Sequence, residues 1–242
     1  MVVNNTVNQP RTIKIPMKKD DLNEIGNQLS CPKGDNGIEM GNTMNKSNNE
    51  MILNSIDQLN IKNGNSILEI GHGNCRHLSE ILNKATDIKY SGIEASEIMV
   101  QEAERINKSL TSQKEIVFKT YNGKEIPFEN NYFDRILTIN TIYFFENTVS
   151  FFNEINRVLK DNGILIITYV QKSLMEKLPF ITTEFKLFDN EDIKEIANKT
   201  KFIISEFKSK TEFVRSKDGK IIERLYSIAV LKKAVANKVY KT

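Results

Sequence analysis

Ile67-Leu68-Glu69-Ile70-Gly71-His72-Gly73-Asn74-Cys75-Arg76-His77 is a short apolar run that ends in a tight Gly-x-Gly turn. The run Ser66 to Ile70 suits a buried parallel strand, and glycines directly after it let backbone approach a ligand closely. A dinucleotide fingerprint wants glycines at the first, third and sixth positions, and here the sixth is Arg76. Glu69, two residues before the first glycine, would repel a pyrophosphate and instead suits a ligand carrying positive charge.

Outward from this stretch the chain alternates. Strands are expected near 66–70, 88–93, 116–119, 134–139 and 163–170, with helices near 75–84, 96–109 and 148–159, the rhythm of βαβ units. Asn63-Gly64-Asn65 and Asp161-Asn162-Gly163 mark turns. A helix near 190–199 precedes two extended runs, 202–214 and 221–231, with Lys217-Asp218-Gly219 between them. Asp-Gly flanked by alternating apolar residues predicts a closing antiparallel hairpin. Ahead of the first strand, Ile52, Ile56 and Leu59 lie on one face of a helix expected over about 38–59. Residues 1–35, rich in Asn and Lys and interrupted by Pro10, Pro16 and Pro32, read as a polar flexible arm.

Composition bounds the function. The chain has 242 residues, 39% hydrophobic and 27% charged, enough to bury one sizeable core. Its 34 basic residues exceed the 31 acidic ones by 3 and are spread along the chain, which is no footprint for nucleic acid or anionic lipid. No stretch approaches the ~18 consecutive apolar residues of a membrane span, and residues 1–10 are too polar for a signal peptide. Two cysteines, Cys31 and Cys75, provide no disulfide framework, so cytoplasm is the expected location. The histidines and cysteines match no zinc spacing, and no metal site is expected.

The motifs converge on a known family. Glu69, Gly71 and Gly73 fall on an acidic-x-Gly-x-Gly-x-Gly pattern in which Cys75 stands at the third glycine. Tyr90-Ser91-Gly92-Ile93-Glu94 ends a second strand in a carboxylate 23 residues after Gly71. Asn122-Gly123-Lys124-Glu125-Ile126-Pro127-Phe128, then Tyr132-Phe133-Asp134, resembles acidic-x-x-x-Leu-Pro-Phe followed by Phe-Asp, with Asn122 replacing the commoner Asp. Together these segments resemble the class I S-adenosylmethionine-dependent methyltransferases, in particular their small-molecule branch. S-adenosylmethionine, with an ammonium, a sulfonium and no phosphate, also fits the charge of Glu69.

The resemblance implies an α/β, Rossmann-like fold: a seven-stranded, mostly parallel sheet in the order 3-2-1-4-5-7-6, with an antiparallel last strand and helices on both faces. It implies one domain over 36–242, with a helical cap at 36–60, a cofactor core at 64–170, and an acceptor lid and terminal hairpin at 171–242. Cofactor-binding residues are expected at Glu69, Gly71, His72, Gly73, Asn74, Glu94, Ala95, Asn122, Gly123, Asn140 and Thr141. Of these, Glu94 would take the ribose hydroxyls, Asn122 and Gly123 the adenine edge, and His72 would lend its backbone. His77 is expected as a solvated or packing residue. Asn140 and Tyr143, at the mouth of the fourth strand, are the catalytic candidates.

The expected reaction is in-line methyl transfer to a small-molecule acceptor, driven mainly by positioning. Residues 40–51 and 171–188 are expected to act as lids. An NAD-dependent oxidoreductase is the first alternative, disfavoured by Arg76 and Asn122-Gly123. A degenerate cofactor-binding or interaction module without activity is the second.

Overall fold

A computed structural model describes residues 19–112, 114–215 and 221–234. Three helices come first: α1 (Lys19–Ser30), α2 (Gly34–Ser47) and α3 (Asn49–Gln58). The alternating core follows: β1 (Ser66–Ile70), α4 (Leu78–Leu82), β2 (Lys89–Glu94), α5 (Glu97–Ile106), α6 (Lys108–Thr111), β3 (Ile116–Thr120) and β4 (Phe133–Ile139). A 3-10 turn (Ile142–Phe144) then leads into α7 (Thr148–Val158), β5 (Leu159–Val170), α8 (Lys172–Met175), α9 (Asn190–Lys199), β6 (Phe202–Arg215) and β7 (Ile221–Lys233). No described helix is long and apolar enough to cross a membrane.

The strands form one seven-stranded sheet in the order β3-β2-β1-β4-β5-β7-β6. Strands β1 to β5 pair in parallel, and β7 is antiparallel to both β5 and β6. This is the expected topology. The turn at 217–219 lies outside the described residues. Central strands with both faces covered read as continuous apolar runs, and Ile67, Leu68, Ile70, Ile136, Leu137, Leu165, Ile166 and Ile167 are all fully buried. Helix α3 packs on β4 and β5 through Met51, Ile52 and Ile56, and α5 packs on β2 and β3. A polar seam joins α3 to the sheet where the Ser55 and Thr168 hydroxyls meet at 2.6 Å in the buried interior.

Four local features depart from the sequence reading. Residues 19–30 are helical where a flexible arm was expected, because Leu22, Ile25 and Leu29 form a one-sided apolar stripe; residues 1–18 lie outside the described part. The single helix expected over 38–59 is two, broken at Asn48, whose φ of −98° and ψ of 8° are not helical. The helix expected from 75 begins only at Leu78, because Cys75 adopts a left-handed φ of 48°. Strand β5 also starts earlier than its Asp161–Gly163 turn, which it absorbs as an irregularity between Phe133 and Arg135 of its partner.

Candidate functional site

Order reversal between β1 and β4 places a crevice at the carboxyl ends of the parallel strands, the position where open α/β sheets bind ligands. A cleft lies there. One wall is the loop after β1, with Glu69, Gly71, His72, Gly73, Asn74 and His77, joined by Glu94 from β2 and by Ile139, Asn140 and Thr141 from β4. The facing wall comes from the N-terminal helices: Leu29, Met44, Asn45, Asn48 and Ile52, with Phe144 at the edge.

The loop conformation follows from its glycines. Gly71 and Gly73 have φ of +74° and +56°, left-handed values that an L side chain adopts at a cost of roughly 1–2 kcal/mol. A Cβ on Gly71 would also stand 2.2 Å from Oγ1 of Thr141, so β1 and β4 close together only around a glycine. A Cβ on Gly73 would meet nothing within 4 Å, and its backbone is therefore open to a ligand. Cys75, in the place of the motif's third glycine, takes φ of 48° with its side chain fully buried.

Beneath the loop lies a buried polar cluster. His77 Nε2 donates to Oε1 and Oε2 of Glu69 at 2.9 and 3.0 Å, and the Tyr90 hydroxyl donates to Oε2 at 2.6 Å. The Cys75 Sγ lies 3.1 Å from the Tyr90 oxygen and donates to it. Burial pushes the Glu69 carboxyl up, but the charge and hydrogen bond of His77 and the bond from Tyr90 outweigh it and hold the group below its ordinary range. Burial pushes His77 down, and Glu69 outweighs that, so the imidazole is raised. Burial raises the Cys75 thiol well above its usual value, so it is neither nucleophile nor thiolate ligand. Glu69, Cys75 and His77 carry ligand-type atoms within 4.8 Å of one another, but these atoms are already engaged within the cluster.

This alters the expected role of Glu69. Both its oxygens are committed to His77 and Tyr90, so its negative charge reaches the cleft already engaged by two side-chain donors. It also corrects the reading of His77 as solvated or merely packing: the ring is buried and is the direct partner of Glu69.

Glu94, the other acid, accepts from the backbone amides of Gly73 at 3.0 Å, Ala95 at 2.8 Å and Ser96 at 3.2 Å. These bonds fasten the glycine loop to the end of β2. They use three of about four lone-pair sites, leaving acceptor capacity for a hydroxyl in the cleft. Two buried atoms of residues lining the cleft have no protein partner among the described residues: Oδ1 of Asn74 and Nε2 of His72. The His72 ring packs 5.0 Å from Phe118, its Nδ1 donates to the Gly73 carbonyl at 2.6 Å, and burial lowers its pKa, so it is neutral.

At the mouth of β4, Asn140 has a left-handed φ of 56° and lines the cleft. Tyr143 does not. Its hydroxyl is buried, donating to Asn140 Oδ1 at 3.0 Å and accepting from the Val170 amide at 2.7 Å, and burial raises its pKa far above neutrality. Of the two catalytic candidates, Tyr143 therefore orients Asn140 from behind the wall and is no general base.

Ala95, Asn122 and Gly123 are likewise not brought into this cleft. Asn122 is exposed beside a separate depression shared with Tyr121, Ile126 and Arg157, and its Oδ1 accepts from the amides of Lys124 and Glu125 at 2.9 Å, a self-contained turn.

The facing wall was only partly legible. Helix α2 contributes Asn42 and Asn45, and its C-cap is Asn48, at intervals of three in one stripe. Oδ1 of Asn42 accepts from Asn74 Nδ2 at 3.1 Å and Arg76 Nε at 3.2 Å, and the Asn45 amide stands 3.4 Å from His77 Nδ1. Gly41 allows close approach, since a Cβ there would lie 2.6 Å from Sδ of Met99 on α5. Residues 171–188 do not line the cleft. They buttress it: Phe185 packs on Phe144 with ring centroids 4.8 Å apart, and the Phe180 carbonyl and Phe185 ring sit against Gly26 of α1.

Comparison with known proteins agrees with this geometry. Residues 61–227 match the family model described as a methyltransferase domain. Similar curated proteins are an uncharacterized methyltransferase, YdaC, of Bacillus subtilis (28% identical over 114 residues, 47% of this chain and 61% of that protein) and an uncharacterized protein, MJ1252, of Methanocaldococcus jannaschii (32% over 168 residues, 67% and 61%). The chain thus spans about three fifths of the length of each. A SAM-dependent methyltransferase structure from Methanosarcina mazei has a TM-score of 0.59 at 18% identity, covering 77% of this chain and 98% of that one. With a family match across most of its length, this chain belongs to the methyltransferase-domain family, and its sheet order is that of the class I S-adenosylmethionine-dependent methyltransferase fold.

Proposed function

We propose that this protein binds S-adenosylmethionine in the cleft after β1 and transfers its methyl group to a small-molecule acceptor. The observation that carries the reading is the convergence, at one switch point, of the open Gly73 backbone, the Glu94 carboxylate and the unpartnered, buried Oδ1 of Asn74. Glu94 would hold the ribose side against the sterically open Gly73, and Asn74 Oδ1 would accept from the amino-acid ammonium. Bound there, S-adenosylmethionine supplies a methyl carbon already activated by a sulfonium.

The protein's part is alignment. Asn140, fixed by Tyr143 and by its amide bond to the Thr168 carbonyl at 2.9 Å, shapes the transfer mouth. The acceptor side is walled by Leu29, Met44, Ile52 and Phe144 with the neutral amides of Asn45 and Asn48, and among the described residues it carries no titratable group. Such a wall favours an uncharged, largely apolar acceptor whose nucleophilic atom has a lone pair available at neutral pH, since no side chain there stands ready as general base.

Calorimetry with S-adenosylmethionine, S-adenosylhomocysteine and NAD tests the reading. Binding of the first two and not the third is expected, and NAD binding without S-adenosylmethionine binding would reinstate the oxidoreductase alternative. Glu94→Ala should weaken cofactor binding about tenfold or more, a charged hydrogen bond being worth roughly 1.5–3 kcal/mol.

A further inference from the structure

The terminal hairpin reaches beyond the sheet. Strand β5 ends at Val170, opposite Tyr226, and the Gln171 amide reaches Leu225, so, among the described residues, 221–224 of β7 pair only with β6. On this extension Glu212 faces Arg224, with their side chains 3% and 13% exposed. The Arg224 guanidinium donates through Nε and Nη2 to Oε1 of Glu212 at 2.9 and 2.7 Å, through Nη1 to Oδ1 of Asn48 at 3.0 Å, and through Nη2 to the Ser47 carbonyl at 2.6 Å. Ser47 ends α2, and Asn48 is the break before α3 and lines the cleft.

Burying an ion pair contributes little net stability, because desolvation offsets the attraction. What the pair does supply is geometry. A planar fork held on one side by Glu212 fits one arrangement of the α2–α3 break, and its charge lies at the negative end of α2. It also fixes the Asn48 amide, whose orientation is set by its partners. With Oδ1 turned to the guanidinium, the end left for the cleft is the Nδ2 donor.

We propose that Arg224, held by Glu212, is a positioning residue that fixes α2 over the cofactor cleft through Ser47 and Asn48, and presents the Asn48 amide there as a hydrogen-bond donor. A ligand group meeting it is an acceptor, such as a carbonyl, carboxylate or hydroxyl oxygen. The inference rests on the cofactor reading above.

The test is calorimetry with S-adenosylhomocysteine, beside thermal unfolding and amide exchange, on wild type, Arg224→Lys and the double variant Arg224→Met/Glu212→Met. The double variant leaves no unpaired buried charge and should unfold close to the wild-type temperature. It should nevertheless bind about tenfold more weakly, equivalent to ~1.4 kcal/mol, and lose ligand-induced exchange protection over 42–48. Lysine keeps the charge beside Glu212 but cannot span Ser47 and Asn48 with a fork, so it should share the binding loss. It also decides the matter if the double variant does not fold. Wild-type affinity in either folded variant overturns the proposal and leaves the pair a purely structural one. Failure of wild type to bind at all overturns the cofactor reading, and this proposal with it.

Discussion

The two walls of the cleft are built by opposite means. The wall after β1 is rigid and charged within: Glu69, His77, Tyr90 and Cys75 form a continuous buried hydrogen-bonded cluster under a loop whose backbone angles require glycine. The facing wall is neutral, with α2 docked by asparagine amides of which Asn42 is exposed and Asn45 and Asn48 are half-buried. A buried cluster in a low-dielectric interior is costly to disturb, whereas each neutral hydrogen bond near solvent contributes roughly 0.5–1.5 kcal/mol. The wall after β1 is thus the costlier of the two to disturb.

That contrast is most severely tested at His77. His77→Leu leaves the Glu69 carboxylate buried with Tyr90 as its remaining side-chain partner, and breaking such a pair costs about 3–5 kcal/mol. Urea unfolding should show it, and a loss below ~1 kcal/mol would mean that the cluster is not the rigid element. The pH dependence sharpens the point. His77 is raised from 6.5, so its contribution is complete below that value and fades as pH climbs through the folded pKa. Glu69 is lowered from 4.5, so its contribution is complete above that value and is lost as pH falls through the folded pKa. The stability gap between wild type and His77→Gln should therefore be widest between 4.5 and 6.5 and narrow at alkaline pH. A gap that widened with rising pH would show that the imidazole is buried neutral.

Next in size is Gly71→Ala. The left-handed φ costs roughly 1–2 kcal/mol, and the 2.2 Å clash with Thr141 adds to it. Adding Thr141→Ala should recover part of the lost melting temperature, and no recovery would place the strain elsewhere.

On the soft wall, Asn42→Ala removes the bonds to Asn74 and Arg76 from an exposed position. Stability should fall by less than about 1 kcal/mol, while S-adenosylhomocysteine binding weakens severalfold in calorimetry. A stability loss like that of His77→Leu would erase the distinction between the walls. Smallest is Cys75→Gly, which relieves a left-handed residue but deletes a buried thiol and its 3.1 Å bond to Tyr90. The two effects oppose each other, and the melting curve should move by the equivalent of less than about 1 kcal/mol.

The rigid wall was also the more legible one. Gly71, Gly73 and Glu94 announce themselves because turn geometry and strand ends constrain residue type locally. The cluster beneath them did not, since nothing in the spacing of Glu69, Cys75, His77 and Tyr90 says that a left-handed Cys75 swings His77 back under the strand. On the soft wall Leu22, Ile25 and Leu29 do carry helical periodicity, but it is diluted by Asn and Lys. Asn48, at the break, takes its side-chain partner from Arg224, 176 residues away.

Sequence alone determined the alternation of strands and helices and the glycine turn after β1, because buried parallel strands, glycine turns and strand-end acids are local consequences of pleat, φ/ψ and charge, and the family resemblance supplied the sheet order. Tertiary structure decided which polar groups spend themselves on one another. Tyr143 bonds Asn140 from behind the wall, Glu69 is bonded by His77, and the end of α2 is bonded by Arg224 from the far end of the chain. Those outcomes depend on which residues become neighbours once water is excluded, and a buried polar atom takes whichever partner the packing brings within reach.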